Sequence, residues 1–434
     1  MKLYSTNNPN HIVSLREAVL HSLPPDNGLY VPQQYPALDP AIIENITDYS
    51  FRELANIIAT QYLREEVPEE IIQEIVYDAI NFPAPVINID DKISILELFH
   101  GPTLAFKDFG ARFMARLMNH FWSTENKKLN ILVATSGDTG GAVAAGFYGL
   151  DSIEVTILYP KGKVSRLQES QLTTWGSNIH ALEIEGDFDD CQKLVKQAFL
   201  DLDLNKHLHL SSANSINIAR LIPQSFYYFE AYKQLKKDTP VAFCIPSGNF
   251  GNLTAGLIAQ RMGLPISHMI AATNINDVFP NYLKTGEYKP TAAIPTLSNA
   301  MDIGHPSNFS RIQHMYGSTW NDIKKDISGY SYTDQQTINQ ILNKHKNNGY
   351  VLDPHTAIGV LAAEQYLNST NTGHQVVVLS TAHPIKFQSE IQAEIDFKIP
   401  YPASVHRFLD LESHKTPMSA TFQDFKNFLL SKSS

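Results

Sequence analysis

The hydrophobic pattern of the chain changes at about residue 93, where short apolar runs begin to alternate with segments of helical spacing. Short apolar strands that alternate with helices are typical of a parallel sheet whose two faces are both covered. The pattern therefore predicts an α/β protein from this point onward. The runs that we predict as strands are residues 130–134, 154–158, 241–245, 268–272 and 375–379.

The first 95 residues read as a separate unit. An Asp-Asn-Gly turn precedes a short apolar strand within residues 26–32. Helical spacing covers residues 50–64 and 68–80, and the second segment begins with acidic residues that suit a helix N-terminus. The stretch FPAPV at 82–86 is a plausible linker. We therefore expect an N-terminal domain ahead of the α/β part.

Composition narrows the class of protein. The formal net charge of −10 over 434 residues argues against nucleic acid as the main partner. No run of 18 apolar residues suggests a membrane span, and the N-terminus lacks an apolar signal core. Cys191 and Cys244 are far apart and show no zinc or disulfide spacing. These features predict a cytoplasmic protein without a metal site, with no membrane or nucleic-acid partner.

Lys107 lies in the apolar run FHGPTLAFKDFGARF at 99–113. Burying a lysine is costly unless its charge is removed or matched. A Schiff base to pyridoxal phosphate (PLP) would remove the charge, and would require a phosphate cradle and a partner for the pyridine nitrogen elsewhere in the chain. The alternative is a lysine that snorkels, with its stem on apolar surface and its amine in water.

A glycine-rich turn at 247–252, SGNFGN, directly follows the apolar run at 241–245 and precedes a helical segment. Glycine lets the backbone approach a ligand, and a helix N-terminus offers unpaired N–H groups, so the turn could hold the single phosphate of PLP. It has neither a GxGxxG fingerprint nor the GK[ST] of a Walker A loop. A tight strand-to-helix turn without a ligand is the alternative.

A second turn, TSGDTGG at 135–141, has the same architecture with added hydroxyl groups. Its N–H groups could bind a carboxylate or a second phosphate. Alternatively, Ser136 or Asp138 could simply cap the following helix.

Two further segments carry polar groups that suit the same chemistry. Thr381, after the strand at 375–379, could present a hydroxyl group to a ring nitrogen and leave the pyridine unprotonated; the nearby His383 is more often a structural residue in such a place. Arg220, at the end of NSINIAR, could bind a dianionic phosphate with two parallel hydrogen bonds. A surface ion pair is the alternative for Arg220.

Taken together, these segments resemble the threonine synthases, a group within the tryptophan-synthase-β-like family of PLP enzymes of fold type II. The match runs from 100 to 387, and the DNGLYVP block extends it to nearly the whole chain. The most particular segments, which point to the longer kind of threonine synthase, contain NDVFP, MDIGHPSNFSR and TAHPIKF. The matching pieces are HGPTLAFKDFGARF, TSGDTGGA, YPKGKVS, NSINIARLIPQ, PSGNFGN, TNINDVFPNYLKTGEY, MDIGHPSNFSR, DPHTAIG and STAHPIKF.

The resemblance implies a fold type II PLP enzyme with two parallel-sheet α/β domains and an additional N-terminal domain. We expect the N-terminal domain over 1–95, a large PLP-binding domain over 96–128 and 213–434, and a smaller substrate-side domain over 129–212.

The same resemblance assigns roles to individual residues. It makes Lys107 the Schiff-base lysine and catalytic residue, and it places Thr381 against the pyridine nitrogen of PLP. Arg220 would meet the phosphate of the substrate, together with Lys163 and Ser165. The substrate α-carboxylate would lie on Ser136, Gly137, Asp138 and Thr139. The residues implied for the PLP phosphate are Gly248, Asn249, Phe250, Gly251 and Asn252.

Asp138 departs from the broader family, in which many relatives carry Asn. An anionic carboxylate beside a substrate carboxylate would repel it. We therefore expect the side chain of Asp138 to point away from the substrate or to be protonated, and its role stays open.

The reaction implied by the resemblance converts O-phospho-L-homoserine and water to L-threonine and phosphate, the last step of threonine biosynthesis. Two alternatives remain at this stage. One is a related PLP-dependent phospholyase that gives 2-oxobutyrate, and the other is a non-catalytic relative that binds PLP or phosphate. The sequence leaves the oligomeric state open.

Overall fold

A computed structural model describes residues 1–236, 238–370, 372–395 and 397–432 of the chain. Its strands, in chain order, are β1 (Lys2–Ser5), β2 (Asn8–Ser14), β3 (Tyr30–Pro32), β4 (Val86–Asn88), β5 (Ile93–Glu97), β6 (Leu129–Ala134), β7 (Ile153–Pro160), β8 (Ile179–Glu185), β9 (His209–Ser212), β10 (Val241–Pro246), β11 (Ile266–Thr273), β12 (Ile327–Ser331), β13 (Gln375–Ser380) and β14 (Lys415–Ser419).

The helices in chain order are α1 (Leu15–His21), α2 (Pro40–Glu44), α3 (Phe51–Leu63), α4 (Glu69–Ala79), α5 (Lys107–Trp122), α6 (Asp138–Phe147), α7 (Arg166–Thr173), α8 (Phe188–Leu200), α9 (Leu204–His207), α10 (Ile218–Lys233), α11 (Gly251–Arg261), α12 (Val278–Thr285), α13 (Phe309–Met315), α14 (Trp320–Asp326), α15 (Asp334–Asn348), α16 (Pro354–Ser369), α17 (Gln388–Ile391), α18 (Ala403–Leu409) and α19 (Phe422–Ser431). Short 3-10 helices cover Ile46–Asp48, Asn299–Met301 and Pro384–Phe387.

The strands form three sheets. A small antiparallel sheet with the order β2-β1-β3 belongs to the N-terminal region. A six-stranded sheet has the order β12-β11-β10-β13-β5-β4, in which every pair is parallel except β4 with β5. A five-stranded sheet has the order β14-β8-β7-β6-β9 and is parallel throughout. The predicted class, parallel-sheet α/β with an added N-terminal unit, is confirmed.

The predicted elements correspond closely to observed ones where burial is strong. Each of the five predicted strands overlaps one observed strand, namely β6, β7, β10, β11 and β13. The helical segments at 50–64 and 68–80 are α3 and α4. Strands β6 and β10 are buried along their whole length, so they read as unbroken apolar runs rather than as alternating ones.

The strand pairing departs from the expected domain boundaries at two points. Strands β4 and β5 lie before residue 98 but pair within the six-stranded sheet, so that sheet begins inside the segment assigned to the N-terminal domain. The segment after residue 414 belongs to the predicted large domain, yet β14 pairs with β8 in the five-stranded sheet. Phe425 and Leu429 of α19 pack in the same apolar cluster as Leu194 of α8. We retain the remaining boundaries as a proposal.

Helices α5 and α10 contact each other, and their packing brings together the two segments that matter most below. Phe109 of α5 meets Tyr227 of α10 with ring centroids 5.5 Å apart, and Phe113 meets Phe226 at 5.7 Å. All four side chains are fully buried. Because Lys107 is the first residue of α5 and Arg220 is the third of α10, this contact sets both residues at neighbouring helix N-termini.

Within the described ranges, no helix is both long enough and apolar enough to cross a membrane.

Candidate active site

The loop before α5 is fastened to the end of β13. The N–H of Phe106 donates to the carbonyl of Thr381 at 2.9 Å, and the N–H of His383 donates to the carbonyl of Leu104 at 3.0 Å. Ala105 and Ala382 form an isolated bridge between these two hydrogen bonds. Two segments almost three hundred residues apart, one with Lys107 and one with Thr381, are therefore held side by side.

Lys107 is partly buried, and its amine lies in surroundings that disfavour charge. Burial lowers the pKa of Lys107 to about 8; Asp138 opposes this shift, while Arg220 and Lys386 add to it. A snorkelling amine in water would keep its ordinary pKa near 10.4. The lowered pKa favours the Schiff-base lysine over the snorkelling one, because its amine is more readily available in the neutral, nucleophilic form.

The turn at 247–252 begins α11 with Gly251, after Phe250 in a left-handed conformation with φ 55°. The Phe250 ring points into the core against Phe279, at 4.6 Å between centroids. Asn252 shapes the turn, because its amide donates to the carbonyl of Pro246 and its Oδ1 accepts from the hydroxyl of Ser247 at 2.5 Å. The Phe250 ring thus packs in the core, and the Asn252 amide forms hydrogen bonds within the turn. Both side chains support the turn.

The two glycines of this turn serve different needs. A β-carbon at Gly248 would lie 2.6 Å from Cα of Met301, so close backbone packing requires glycine there. A β-carbon at Gly251 would meet Asn308 Nδ2 at 3.7 Å, an ordinary contact, so packing does not require glycine there. The N-cap residue Phe250 gives α11 no side-chain cap, and unpaired N–H groups at a helix N-terminus suit a phosphate.

Asn249 joins the turn to the segment that leads to Arg220. Its amide donates to the hydroxyl of Ser215 at 2.7 Å, and its Oδ1 accepts from the N–H of Ser307 at 2.6 Å. Arg311 reinforces the junction, donating from Nη2 to the carbonyl of Ile216 at 2.6 Å and from Nη1 to Asn308 Oδ1 at 2.7 Å. The glycine-rich turn and the 214–220 segment are therefore joined by hydrogen bonds into one polar surface.

Arg220 is buried, with 3% of its surface exposed. Its Nη1 donates to the carbonyl of Ala213 at 2.6 Å, while its Nε has no hydrogen-bond partner among the described residues. Burial lowers the pKa of Arg220 to about 10, and Asp108 opposes that shift. The surface ion pair considered for Arg220 is wrong. A buried guanidinium with a free donor is a strong candidate for binding an anion.

The side chain of Arg220 runs along the same face of α5 that carries Lys107. A β-carbon at Gly110, three residues after Lys107, would lie 2.9 Å from Arg220 Nε. Residues three apart on a helix share a face. Lys107 and Arg220 therefore face one region of the protein.

The turn at 135–141 is organised by Thr135 and not by the residues expected to cap the following helix. Thr135 Oγ1 accepts from the N–H groups of Gly137 and Gly140 at 3.0 and 2.9 Å. Neither Ser136 nor Asp138 caps α6, whose N-cap is Gly137 with φ 131°. The alternative in which Ser136 or Asp138 caps the helix is therefore wrong. The N–H groups of Asp138 and Thr139, at the start of the helix, are placed to meet an anion.

Asp138 is buried, and its carboxylate Oδ1 contacts Lys386 Nζ at 2.9 Å and accepts from Gln168 Nε2 at 3.0 Å. Burial alone would raise the pKa of Asp138, but Lys386, Lys107 and the hydrogen bonds outweigh it and hold that pKa well below its usual range. Of the two expectations for this residue, protonation is therefore wrong, and the carboxylate is turned toward a cation.

The remaining predicted residues are less closely tied to the site. Lys163 is exposed on the turn before α7. Ser165 caps α7, accepting from the N–H of Gln168, and its hydroxyl donates to the carbonyl of Lys386 at 3.2 Å. His383 begins the short helix Pro384–Phe387 by accepting from the N–H of Ile385, which agrees with a structural role. Thr381 is buried, with 7% exposed.

Sequence reasoning missed Lys386 and Arg311 as site residues. Lys386 lies between Ile385 and Phe387, and a lone lysine between apolar residues is the same signal that singled out Lys107. Arg311 gives no such signal, because two of its partners, the carbonyls of Tyr30 and Ile216, are main-chain groups of distant segments.

The arrangement fits PLP on its own geometry. It offers an amine of lowered pKa at Lys107, an N-terminus of α11 whose N-cap residue gives no side-chain cap, and a buried hydroxyl-bearing residue, Thr381, held next to the lysine loop. These are groups that a Schiff base, a phosphate and a pyridine nitrogen require.

Comparison with known proteins agrees with this reading. Residues 86–382 match the family described as "Pyridoxal-phosphate dependent enzyme". Residues 2–80 match "Threonine synthase N terminus", and residues 356–429 match "Threonine synthase, C-terminal". The sheets, the site and the first of these matches define a PLP-dependent enzyme of fold type II.

The relatives narrow the class to one family. The chain is 44% identical to the threonine synthase of Escherichia coli (strain K12) over 421 residues, which are 96% of this chain and 97% of the relative. The crystal structure of the Escherichia coli enzyme superposes with a TM-score of 0.92 at 42% identity over the whole of both chains. A PLP-bound threonine synthase from Brucella melitensis superposes with a TM-score of 0.93 at 36% identity, covering 100% of this chain and 99% of that one.

The chain belongs to the threonine synthase family. The predicted enzyme class, a PLP-dependent lyase of threonine biosynthesis, and the predicted cofactor are confirmed. The individual site residues stay predictions.

Proposed function

We propose that the chain converts O-phospho-L-homoserine and water to L-threonine and phosphate in the region between the N-termini of α5, α6, α10 and α11. One observation carries the proposal: the buried guanidinium of Arg220, with an unpartnered Nε, lies along the helix face that carries Lys107. A substrate with both an amino group and a phosphate needs these two groups within reach of each other.

Each part of the substrate has a matching group of the chain. The N–H groups at the start of α6, at Asp138 and Thr139, are suited to the α-carboxylate. Arg220 is suited to the phosphate and would stabilise the charge that develops as phosphate leaves. Lys163 is exposed and Ser165 caps a helix, so they support this assignment less.

Three of the residues would hold PLP. Lys107 would bind its aldehyde carbon, the N-terminus of α11 from Gly251 its phosphate, and Thr381 its ring nitrogen, with Gly248, Asn249, Phe250 and Asn252 shaping the turn. Bound PLP supplies an electron sink for negative charge on the substrate carbons.

Lys107 has the further role of moving protons. With a pKa near 8, its freed amine is neutral often enough near neutral pH to take the proton from the substrate α-carbon. The charged form can then return a proton before the product leaves. The hydroxyl of Thr381 is a neutral partner and would leave the ring nitrogen unprotonated.

The test is product analysis with purified protein, PLP and O-phospho-L-homoserine. We expect L-threonine and inorganic phosphate in equal amounts, and neither product from the Lys107→Ala variant. Release of 2-oxobutyrate in place of threonine would instead indicate a phospholyase. PLP binding without turnover would indicate a non-catalytic relative. The predicted cytoplasmic location and the absence of nucleic-acid and membrane partners stay predictions.

A further inference from the structure

Lys386 is a buried lysine whose three N–H groups all find oxygen partners. Its side chain is 0% exposed. Nζ contacts the carbonyl of Thr103 at 2.8 Å, Gln171 Oε1 at 2.9 Å and Asp138 Oδ1 at 2.9 Å. Three good partners at once are what a buried ammonium group needs to remain charged.

These partners come from three elements around the proposed site. Thr103 lies in the loop before Lys107, and it also binds Asp108 through its N–H at 2.9 Å and its hydroxyl at 2.6 Å. Gln171 lies on α7, and Asp138 is the first residue of α6. Lys386 thus joins the lysine loop to the turn proposed for the substrate carboxylate.

The pair Lys386–Asp138 changes the electrostatics of that turn. An uncompensated carboxylate at the first residue of α6 would repel an incoming carboxylate. With Lys386 at 2.9 Å, the pair carries no net charge, and the N–H groups of α6 keep their attraction for an anion.

We propose that Lys386 is a positioning residue: by pairing with Asp138 at the N-terminus of α6, it keeps the carboxylate turn attractive to anions and offsets the attraction of the Asp138 carboxylate for the protonated amine of Lys107. The carboxylate part of this inference rests on the proposed function, whereas the part that concerns Lys107 needs neither PLP nor substrate.

The charges that act on Lys107 come from three other segments of the chain. Asp138 on α6 favours the protonated amine, whereas Arg220 on α10 and Lys386 before α17 disfavour it. Asp108, on the same helix as Lys107, is held by Thr103. Removing Lys386 leaves the Asp138 carboxylate unbalanced, so the pKa of Lys107 should rise; removing the charge of Asp138 should lower it.

The experiment measures how fast Lys107 is acetylated in the full-length protein without PLP, as a function of pH, by mass spectrometry of the Lys107 peptide. At pH 7 we expect about tenfold slower acetylation in Lys386→Met than in the wild type, because a rise of one unit in pKa lowers the neutral fraction about tenfold at a pH below both values. Asp138→Asn should be acetylated faster at pH 7. The double variant Lys386→Met/Asp138→Asn should return toward the wild-type rate.

The matched control is Lys344→Met. Lys344 is also a buried lysine, with 8% of its side chain exposed, and it pairs with Asp90 and with Glu364 at 3.0 Å, away from Lys107. Its loss should leave the acetylation profile of Lys107 unchanged. If Lys386→Met does not fold, Asp138→Asn alone still decides, because the proposal requires a shift toward faster acetylation.

A second measurement addresses the carboxylate. In the PLP-loaded protein, Lys386→Met should raise the KM for O-phospho-L-homoserine by about tenfold or more, since a nearby unbalanced charge is worth that much in a partly buried site. The double variant should recover most of this loss. A residue that only supports the loop through Thr103 and Gln171 would show no rescue when Asp138 is neutralised.

The proposal is overturned if Lys386→Met leaves the acetylation profile of Lys107 unchanged, or if the two single variants shift it in the same direction. Failure of the proposed function has a different signature. In that case O-phospho-L-homoserine would not be converted by the wild type, while the opposite acetylation shifts would remain.

Discussion

Gly110 and Arg220 are in contact across two helices: a β-carbon on Gly110 would lie 2.9 Å from both the Nε and the carbonyl oxygen of Arg220. Because Gly110 has no side chain, α10 and Arg220 can approach α5, the helix that begins with Lys107. The placement of a cation near the reactive lysine depends on a residue that has no functional group of its own.

Gly110→Ala should move Arg220 away from this position. Alanine favours helix more than glycine does, by about 1 kcal/mol, but the overlap with a main-chain oxygen is not easily relieved. We expect a net destabilisation of about 1–3 kcal/mol and a raised KM for the phosphorylated substrate. Urea unfolding and steady-state kinetics measure the two effects. A variant as stable and as active as the wild type would contradict the packing argument.

Lys107→Ala should abolish turnover and the visible absorbance of lysine-bound PLP. The amine of lowered pKa is lost, although the phosphate site beside Gly251 remains, so weak PLP binding should persist. Borohydride reduction of the wild type followed by peptide mapping identifies the attachment site. A pyridoxyl label on a different lysine would show that the assignment is wrong.

Gly251→Asp should weaken PLP binding strongly while the fold is retained. The new carboxylate would stand at the first residue of α11 and oppose the phosphate by charge. Gly251→Ala is the matched control, because a β-carbon there meets nothing closer than 3.7 Å. Titration of the cofactor-free proteins with PLP measures affinity. Equal losses in the two variants would indicate crowding, and no loss in either would place the phosphate elsewhere.

Arg220→Ala should act on the substrate phosphate and leave PLP binding intact. A charge-assisted pair that strengthens in the transition state supports a loss on the order of 10²–10⁴ in kcat/KM. Inorganic phosphate should inhibit the variant less than the wild type. Lys161→Ala, at an exposed lysine of the turn before α7, serves as the control for general charge effects. Near-normal kcat/KM in Arg220→Ala would turn attention to Lys163.

His383 should make folding stability depend on pH. Burial lowers the pKa of His383 to about 4; Glu97 and Asp353 oppose that shift. The unfolded chain binds this proton near pH 6.5. Between pH 6.5 and 4 the unfolded state therefore holds more protons, so the free energy of unfolding falls as pH falls through that window.

His383→Asn should reduce this dependence. Asparagine keeps an acceptor for the N–H of Ile385 at the start of the short helix, but it cannot be protonated. Urea unfolding at pH 7, 6 and 5 should show a smaller loss of stability in the variant than in the wild type. His207→Asn, at an exposed histidine, should match the wild type. An equal slope for His383→Asn would show that His383 does not contribute.

The sequence predicted those elements whose burial gives a recognisable apolar pattern within one segment. Fully buried parallel strands such as β6 and β10 are apolar throughout and are easily found. Strand β14 reads KTPMS, lies at a sheet edge and is mostly exposed, so its pattern is not that of a strand. Only its parallel pairing with β8 in the structure identifies it as a strand of the five-stranded sheet.

The candidate site shows the same division. Lys107 and the turn at 247–252 carry local signals, an amine among apolar residues and glycines before a helix. The state of Asp138 depends on Lys386, Gln168 and Lys107, which come from three other segments. Such a charge balance is a property of the folded arrangement, and no local pattern contains it.

The pairing of β14 with β8 also bears on the order in which the chain can fold. In chain order the five-stranded sheet begins with β6 and gains its edge strand only at residues 415–419, after every strand of the six-stranded sheet. Contacts between such distant segments form late, because the loop between them must close first. During synthesis, therefore, the sheet that carries the start of α6 stays without β14, and without α19 over its helical layer, until residues 415–431 have left the ribosome.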